Sequence, residues 1–271
     1  MGPQGALLQE VLDTSSDEAA LGLCEICYSP PSQQCLLFNN LVWTDLCNSI
    51  VPLSETKANE MALARKGGKG WMSRGSELSA ENLKGSSESL KQQSWNTMRI
   101  WWFPMLSRGK LHVDVFDENF PGETPEGAAQ LVGKVRSALN VRFQHVASSP
   151  QVLWTDRGRG FFFPNSGAIT TEFKEALADN GLRHFMGNNA VKQPGSMQDF
   201  LLHETAVSWL RHRLAQSTPR RCWLETRSEY GQRLKRCCDE INKDLDVEGL
   251  CKELPKRLKM LDDKKGDRLK W

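Results

Sequence analysis

The sequence predicts a mixed α/β domain, with helices packed on a central β-sheet. Two observations lead to this fold class: short apolar runs rich in β-branched and aromatic residues recur along the chain, and stretches of helical periodicity separate or follow them. With 271 residues, of which 39% are hydrophobic, the chain can bury one substantial core. The expected strands cover 36–46, 98–103, 110–116, 151–155 and 182–186, and the expected helices cover 126–139, 170–180, 196–215, 224–243 and 247–260.

Charge is distributed unevenly along the chain. Residues 1–56 contain seven acidic residues and no Lys or Arg, so the remainder carries +9 of a total net charge of +2. A phosphate-binding surface is therefore expected only after residue 56. Residues 1–35 mix Gly, Ser, Pro and acids, and we expect a poorly ordered acidic N-terminus there.

Composition also limits the membrane and redox possibilities. No apolar run approaches the roughly 20 residues that cross a bilayer, and no secretory signal is evident, so we expect a soluble intracellular protein. Of the eight cysteines, Cys24 and Cys27 have the spacing that opens a zinc site, but no second ligand pair follows at a suitable distance. Free thiols are the favoured interpretation.

The first expected strand, LLFNNLVWTDL at 36–46, is apolar and contains Asp45 near its end. A Ser-, Gly-, Lys- and Asn-rich insertion follows at about 54–95, which we interpret as a long loop or an irregular hairpin. Its basic, glycine-rich segment could approach a phosphate backbone and stack a base, or could be a solvated loop. The candidate DNA-contacting residues there are Arg65, Lys66, Lys69, Trp71 and Arg74.

Turn and cap residues delimit the next elements. The strands at 98–103 and 110–116 are joined across Ser107-Arg108-Gly109, and Pro125 suits the first turn of the following helix. The strand QVLWT at 151–155 leads into Asp156, and Gly181 is placed to end the helix at 170–180.

Three acidic residues are candidates for chemistry. Asp45 and Asp156 each follow the local pattern apolar-apolar-Trp-Thr, at the carboxyl ends of strands, where open α/β sheets bind ligands. Glu204 shares a predicted helix face with Met197, Phe200 and Val207. Each acid alone could instead be a turn, a cap or a salt-bridge residue, but three converging carboxylates would suit divalent metal ions in phosphoryl transfer.

Several segments, in order, resemble the catalytic domain of mariner-type transposases of the DDE superfamily. The first motif resembles LLFNNLVWTD and the second VLWTD, which end on Asp45 and Asp156. The third resembles Pro194 followed by Asp199-Phe200, with Glu204 five positions after Asp199. A Trp-bearing strand and Gly turn (RIWWFPMLSRG) and the closing segment at 247–268, which includes LPKRL, complete a likeness over about 36–271.

This resemblance implies a ribonuclease H-like mixed sheet flanked by helices, with a helical C-terminal part. It also implies metal-dependent DNA strand cleavage and transfer, with Asp45, Asp156 and Glu204 holding two Mg²⁺ or Mn²⁺ ions. Arg157 and Arg159 join the DNA-contacting candidates. DNA is the implied partner, a homodimer is possible, neither a membrane nor a small-molecule cofactor is expected, and the protein would be nuclear.

The sequence departs from the family pattern in three places. Arg157 stands where the family usually has Asn, and the interval from Asp156 to Glu204 is longer than usual. Relatives carry two helix-turn-helix units upstream, whereas 44 residues without Lys or Arg precede Asp45 here, so we interpret the chain as N-terminally truncated. Two rival functions stay open: a catalytically silent transposon-derived protein that binds DNA or subunits, and a ribonuclease H-type nuclease.

Overall fold

The structure is a computed structural model that describes residues 41–67, 96–142, 151–156, 158–163, 168–184, 201–254, 256–257 and 260. Its strands are β1 (Leu41–Thr44), β2 (Cys47–Pro52), β3 (Thr97–Ser107), β4 (Lys110–Val115), β5 (Gln151–Trp154) and β6 (Leu182–His184). Its helices are α1 (Glu55–Gly67), α2 (Pro125–Arg142), α3 (Thr171–Asp179), α4 (Leu202–Gln216), α5 (Arg227–Asp244) and α6 (Val247–Lys252), with a 3₁₀ turn at Cys222–Leu224.

The strands form one mixed sheet, as the sequence predicts. The long strand β3 pairs antiparallel with β1 and β2 along one edge and with β4 along the other. On the far side of β1 the pairing is parallel, first to β5 and then to β6. Because parallel neighbours end at the same edge of a sheet, this half of the sheet brings the ends of β1 and β5 together.

Strands β1 and β2 are one line of pairing that is interrupted around Asp45. Thr44 lies opposite Met105 and Cys47 opposite Trp102, so the register along β3 is the same before and after the break. That register places Pro104 opposite Asp45, and proline has no N–H to donate to the ladder. The Thr44 hydroxyl donates to the Pro104 carbonyl at 2.6 Å, and Asp45 is left outside regular pairing.

The turn between β3 and β4 has two residues, Arg108 and Gly109, with φ of 51° and 69°. Positive φ at both positions is the signature of a type I′ turn, whose twist suits a hairpin. The sequence prediction of two strands joined at this point is confirmed.

Alternate strand residues point to opposite sides of the sheet, and helices cover the buried residues on both faces. On one face Trp43, Trp102 and Trp154 pack with buried residues of α4, α5 and α6. On the other, Val42 and Leu153 pack with α2 and α3. Each expected helix and strand has a counterpart in the described residues, but β2 was not expected and the strand expected at 36–46 ends at Thr44.

The interpretation of the stretch after β2 as a loop or hairpin is wrong for its first part. Residues Glu55–Gly67 form α1. The Lys57 amide donates to the Ser54 hydroxyl at 3.2 Å, and Glu55 lies in the first turn, where a negative charge is favourable. These are ordinary helix-start signals that the low apolar content of the segment obscured. Residues 68–95 and the expected disordered segment at 1–35 lie outside the described residues.

Two further expectations can be compared with the described residues. No helix among them is long and apolar enough to span a bilayer. The cysteines that the structure describes are all free, and Cys24 and Cys27 lie outside it.

Candidate active site

Two tryptophans fix the relative position of the candidate aspartates. Trp43 of β1 is the direct parallel partner of Trp154 of β5, and their rings stack with centroids 6.5 Å apart. Asp45 and Asp156 each follow two residues later, so the same register sets them side by side. Side chains two apart along a strand share a face, so this face is the one covered by α4.

The carboxyl groups of Asp45 and Asp156 are hydrogen-bonded to each other. Burial, followed by the negative charge of Asp156, raises the pKa of Asp45 well above its ordinary value. Burial also raises the pKa of Asp156, although the Gly158 amide and the hydrogen bond from Asp45 favour its ionised form. Both pKa shifts therefore favour the retention of one proton by the pair at neutral pH.

Backbone groups hold both carboxyl groups in place. The Leu46 amide donates to Asp45 Oδ1 at 2.7 Å, and the Gly158 amide donates to Asp156 Oδ1 at 2.9 Å. A Cβ atom at position 158 would lie 2.9 Å from Asp156 Oδ1, closer than real Cβ contacts, so a larger residue there would displace the carboxyl group. The turn after β5 is thus shaped around the aspartate.

Glu123 is a fourth acid near the pair that the sequence analysis missed. Its negative charge raises the pKa of both Asp45 and Asp156. The loop that carries it approaches the turn after β5, since a Cβ atom at Gly160 would lie 2.7 Å from the Thr124 carbonyl oxygen. In the sequence, Glu123 could have been found from its place just before the start of α2. There the Thr124 hydroxyl accepts a hydrogen bond from the Gly127 amide.

Glu204 lies in the first turn of α4, and its charge also raises the pKa of Asp45. The helix buries Leu202, His203 and Val207, whereas Glu204 is exposed. Glu204 is on the same side of α4 as Val207, as expected, but it is exposed and lies at the edge of the buried face. Met197, Phe200 and Asp199 lie outside the described residues.

Arg211 is a second residue that the sequence analysis missed. Burial and the negative charge of Asp45 raise the pKa of the Cys47 thiol, and the positive charge of Arg211 opposes that shift. Arg211 follows Glu204 by seven residues, so the two lie on the same side of α4 about two turns apart. A positive group on this side of α4 was thus deducible once the helix was assigned.

The basic DNA-contacting candidates are only partly described. Arg65 and Lys66 belong to α1, and Arg159 is exposed in the turn after Asp156. Lys69, Trp71, Arg74 and Arg157 lie outside the described residues.

Within the described ranges, no three His, Cys, Asp or Glu side chains converge closely enough to form a ready-made metal site. Asp45 and Asp156 interact directly, the charge of Glu123 acts on both of them, and the charge of Glu204 acts on Asp45. The site is therefore an acidic pair with two further acids nearby.

Solved structures with the same architecture belong to Mos1, a mariner transposase. The Mos1 catalytic domain with raltegravir and Mn aligns over 100% of this chain and 98% of its own, with a TM-score of 0.53 and 8% identity. The fold is that of a mariner transposase catalytic domain. The Mos1 catalytic domain in another crystal structure gives a TM-score of 0.51 at 8% identity, over 100% of this chain and 97% of its own.

A Mos1 paired-end complex with the left transposon end gives a TM-score of 0.52 at 9% identity. That alignment covers 100% of this chain and 65% of the Mos1 chain. The predicted ribonuclease H-like fold is thereby confirmed. No protein-family model matches the sequence, and no curated protein sequence matches it.

Proposed function

We propose that this chain is a transposase catalytic core that cleaves and transfers DNA strands with the help of divalent metal ions. The observation that carries the proposal is the hydrogen-bonded pair Asp45–Asp156 at the ends of adjacent parallel strands. A mariner-like fold supports the same function, because its solved neighbours are transposase structures.

The residues present fit a hard divalent cation such as Mg²⁺ or Mn²⁺. Two ionised carboxylates in contact repel each other, and in the metal-free chain a proton retained by the pair removes that repulsion. A metal ion bound by carboxylate oxygens would replace that proton and remove the repulsion. The two neighbouring acids, Glu123 and Glu204, add to the attraction for a cation.

In the proposed reaction Asp45, Asp156 and Glu204 would hold two ions. When bound, such ions activate the attacking oxygen and stabilise the leaving oxygen of a phosphodiester. The Leu46 and Gly158 amides would orient the two aspartates. Hydrolysis would consume one water and leave one hydroxyl and one phosphate end; in transfer, a DNA hydroxyl would take the place of water.

DNA is the proposed partner. The Mos1 neighbours include a paired-end complex with a transposon end and a pre-cleavage transpososome. Arg211 lies near Cys47, which follows Asp45 by two residues, and its guanidinium group could bind a DNA phosphate there. Arg159 is exposed in the adjacent turn. Assembly as a homodimer and a nuclear location are further parts of this proposal.

The test is nicking of supercoiled plasmid by the purified chain with Mn²⁺. Nicking should require the metal, disappear with chelator, and fall at least a hundredfold in Asp156→Asn, in line with losing a group that acts in the transition state. Asp117→Asn, which changes an exposed acid, is the matched control and should keep full activity. Metal-independent nicking, or equal nicking by Asp156→Asn, would overturn the proposal.

A second candidate is a catalytically silent protein that binds DNA or other subunits. The observation in its favour is that, in the described part of the chain, no three potential ligands already form a metal-holding group. This second candidate predicts that duplex binding does not depend on metal and that the wild-type chain does not nick DNA with any divalent metal.

A further inference from the structure

The connection between α4 and α5 carries a concentration of arginines that the proposed active site does not use. Residues 217–236 contain six basic residues and two acids. This stretch comprises the turn after α4, the 3₁₀ turn Cys222–Leu224 and the first half of α5. Its basic residues are Arg220, Arg221, Arg227, Arg233, Lys235 and Arg236.

A cavity of about 370 Å³ opens within this stretch. Arg221 and Arg236 line it from opposite elements, one from the turn and one from α5. Both residues are exposed, and within the described part of the chain neither forms an ion pair.

The two acids that line the cavity are already committed to partners in the protein. Both oxygens of Glu225 accept from Arg233, at 2.6 Å from Nε and 2.7 Å from Nη2. Glu229 Oε2 accepts from the Thr226 amide and hydroxyl, each at 2.8 Å, which caps α5. Neither acid that lines the cavity therefore offsets the positive charges of Arg221 and Arg236.

The floor of the cavity is rigidly built. Arg233 also donates to the Leu214 carbonyl at 3.0 Å, and its guanidinium lies 4.9 Å above the Tyr230 ring. The Tyr230 hydroxyl in turn donates to Ser49 of β2 at 2.6 Å. The floor against which a ligand would pack is therefore preorganised.

Chemistry identifies the ligand class. Guanidinium groups with unused donors bind the oxygens of phosphate in a forked geometry. Beside them, Pro219 and the exposed Leu224 give the cavity an apolar wall. A phosphate flanked by a sugar fits that combination better than a carboxylate on a flexible side chain does.

The cavity lies at the far end of α4 from the carboxylates. Glu204 is in the first turn of α4 and the cavity begins after its last turn, so the separation is about 20 Å at 1.5 Å per residue. Arg211 lies between them on the helix. A duplex rises about 3.4 Å per base pair, so one DNA segment of roughly six base pairs spans both places.

We propose that Arg221 and Arg236 form a phosphodiester-binding site for duplex DNA, which anchors the duplex at a distance from the proposed cleavage point. The proposal rests on the proposed function for the identity of the ligand. DNA binding by Arg221 and Arg236 requires neither metal nor catalysis, so this proposal and the proposed function can fail independently.

The experiment measures anisotropy of a fluorescein-labelled duplex of three helical turns, with chelator present, over a series of salt concentrations. Arg221→Gln with Arg236→Gln should weaken binding about tenfold at low salt and reduce the salt slope by about 2, one for each phosphate that is no longer neutralised. The matched control is Lys134→Gln with Lys174→Gln, which makes the same charge change on α2 and α3, across the sheet. The control should keep the wild-type slope.

Equal slopes in the wild-type chain and the arginine variant would overturn the inference. So would an arginine variant that no longer binds polyglutamate while its duplex binding is unchanged, because the cavity would then be a site for acidic peptides. Arg221→Lys with Arg236→Lys should keep the slope and lose part of the affinity. Plasmid nicking with Mn²⁺ separates the two proposals. If the wild type nicks DNA but has the same salt slope as the arginine variant, only the phosphodiester-binding proposal fails.

Discussion

The carboxyl groups of Asp45 and Asp156 interact with each other at the ends of two adjacent parallel strands. The pairing of Trp43 with Trp154 sets this contact, because each aspartate follows its tryptophan by two residues. The pair shares one proton where two full negative charges would repel. A substitution in this buried pair should therefore affect stability differently from a substitution of an exposed acid.

Asp45→Asn should stabilise the metal-free chain. Burial and neighbouring charges raise the pKa of Asp45, so ionisation of this group opposes folding at neutral pH. Asparagine removes that cost, and we expect the melting temperature to rise by about 2–4 °C, which corresponds to about 1 kcal/mol. Thermal unfolding in chelator measures it, with Asp117→Asn as an exposed control. A lower melting temperature for Asp45→Asn would contradict the assignment.

Glu123→Gln should weaken Mn²⁺ binding about threefold to tenfold, because its charge acts on the pair without touching it. Calorimetric titration of Mn²⁺ measures the change. Glu118→Gln, in the exposed loop before Glu123, should leave the affinity unchanged. Should both variants behave alike, Glu123 plays no part in the site.

His184 should make the fold sensitive to acid. It is buried between Phe162 and Phe173, and burial lowers its pKa to about 3. An unfolded histidine takes up a proton near pH 6.5, so stability is full above that pH and falls as the pH decreases toward 3. Between pH 7.5 and pH 5 this group should cost about 2 kcal/mol.

Urea unfolding of His184→Gln at the two pH values tests this prediction. The variant should lose less stability than the wild type between pH 7.5 and pH 5, by about 2 kcal/mol. His212→Gln, which changes an exposed histidine on α4, should retain the wild-type dependence. An unchanged pH dependence in His184→Gln would show that His184 does not stay neutral.

Asn242 should be important for the exposed edge of the sheet. Strand β4 pairs with β3 alone among the described strands, and the Asn242 side chain of α5 satisfies its outer edge. Asn242 Nδ2 donates to the Leu111 carbonyl at 2.7 Å, and the Leu111 amide donates to Asn242 Oδ1 at 2.8 Å. Asn242→Leu leaves the Leu111 amide without its partner and the Leu111 carbonyl with only the weak Cys238 thiol donor at 3.2 Å. It should lower the free energy of unfolding by about 1–3 kcal/mol.

Asn242→Asp is the matched variant for that prediction. It keeps an acceptor for the Leu111 amide and loses the donor, so its loss of stability should be intermediate. Equal stability of all three chains in urea unfolding would mean that the edge is not held by this residue.

The sequence was sufficient to predict the strand ends that carry the aspartates. LVWTD and VLWTD read alike because both strands are buried and both end where β1 and β5 run parallel. Local signals also predicted the hairpin at Arg108-Gly109, since glycine there permits a left-handed backbone.

Long-range contacts could not be predicted in the same way. Glu123 comes near the pair because the Gly160 turn packs against Thr124, a contact between segments far apart in the chain. Helix α1 was missed because its residues are mostly polar, so periodicity carried little information. The exposure of Glu204 depends on how α4 is rotated against the sheet, which spacing alone does not fix.

The central claim is that Asp45 and Asp156 hold a divalent cation in place of their shared proton. Calorimetric titration of Mn²⁺ into the wild-type chain and into Asp156→Asn tests it most directly. We expect saturable binding by the wild type, with release of a proton that buffers of different ionisation enthalpy reveal, and at least a tenfold weaker binding by Asp156→Asn. Equal affinity in the two proteins, or no binding by the wild type, would contradict the claim.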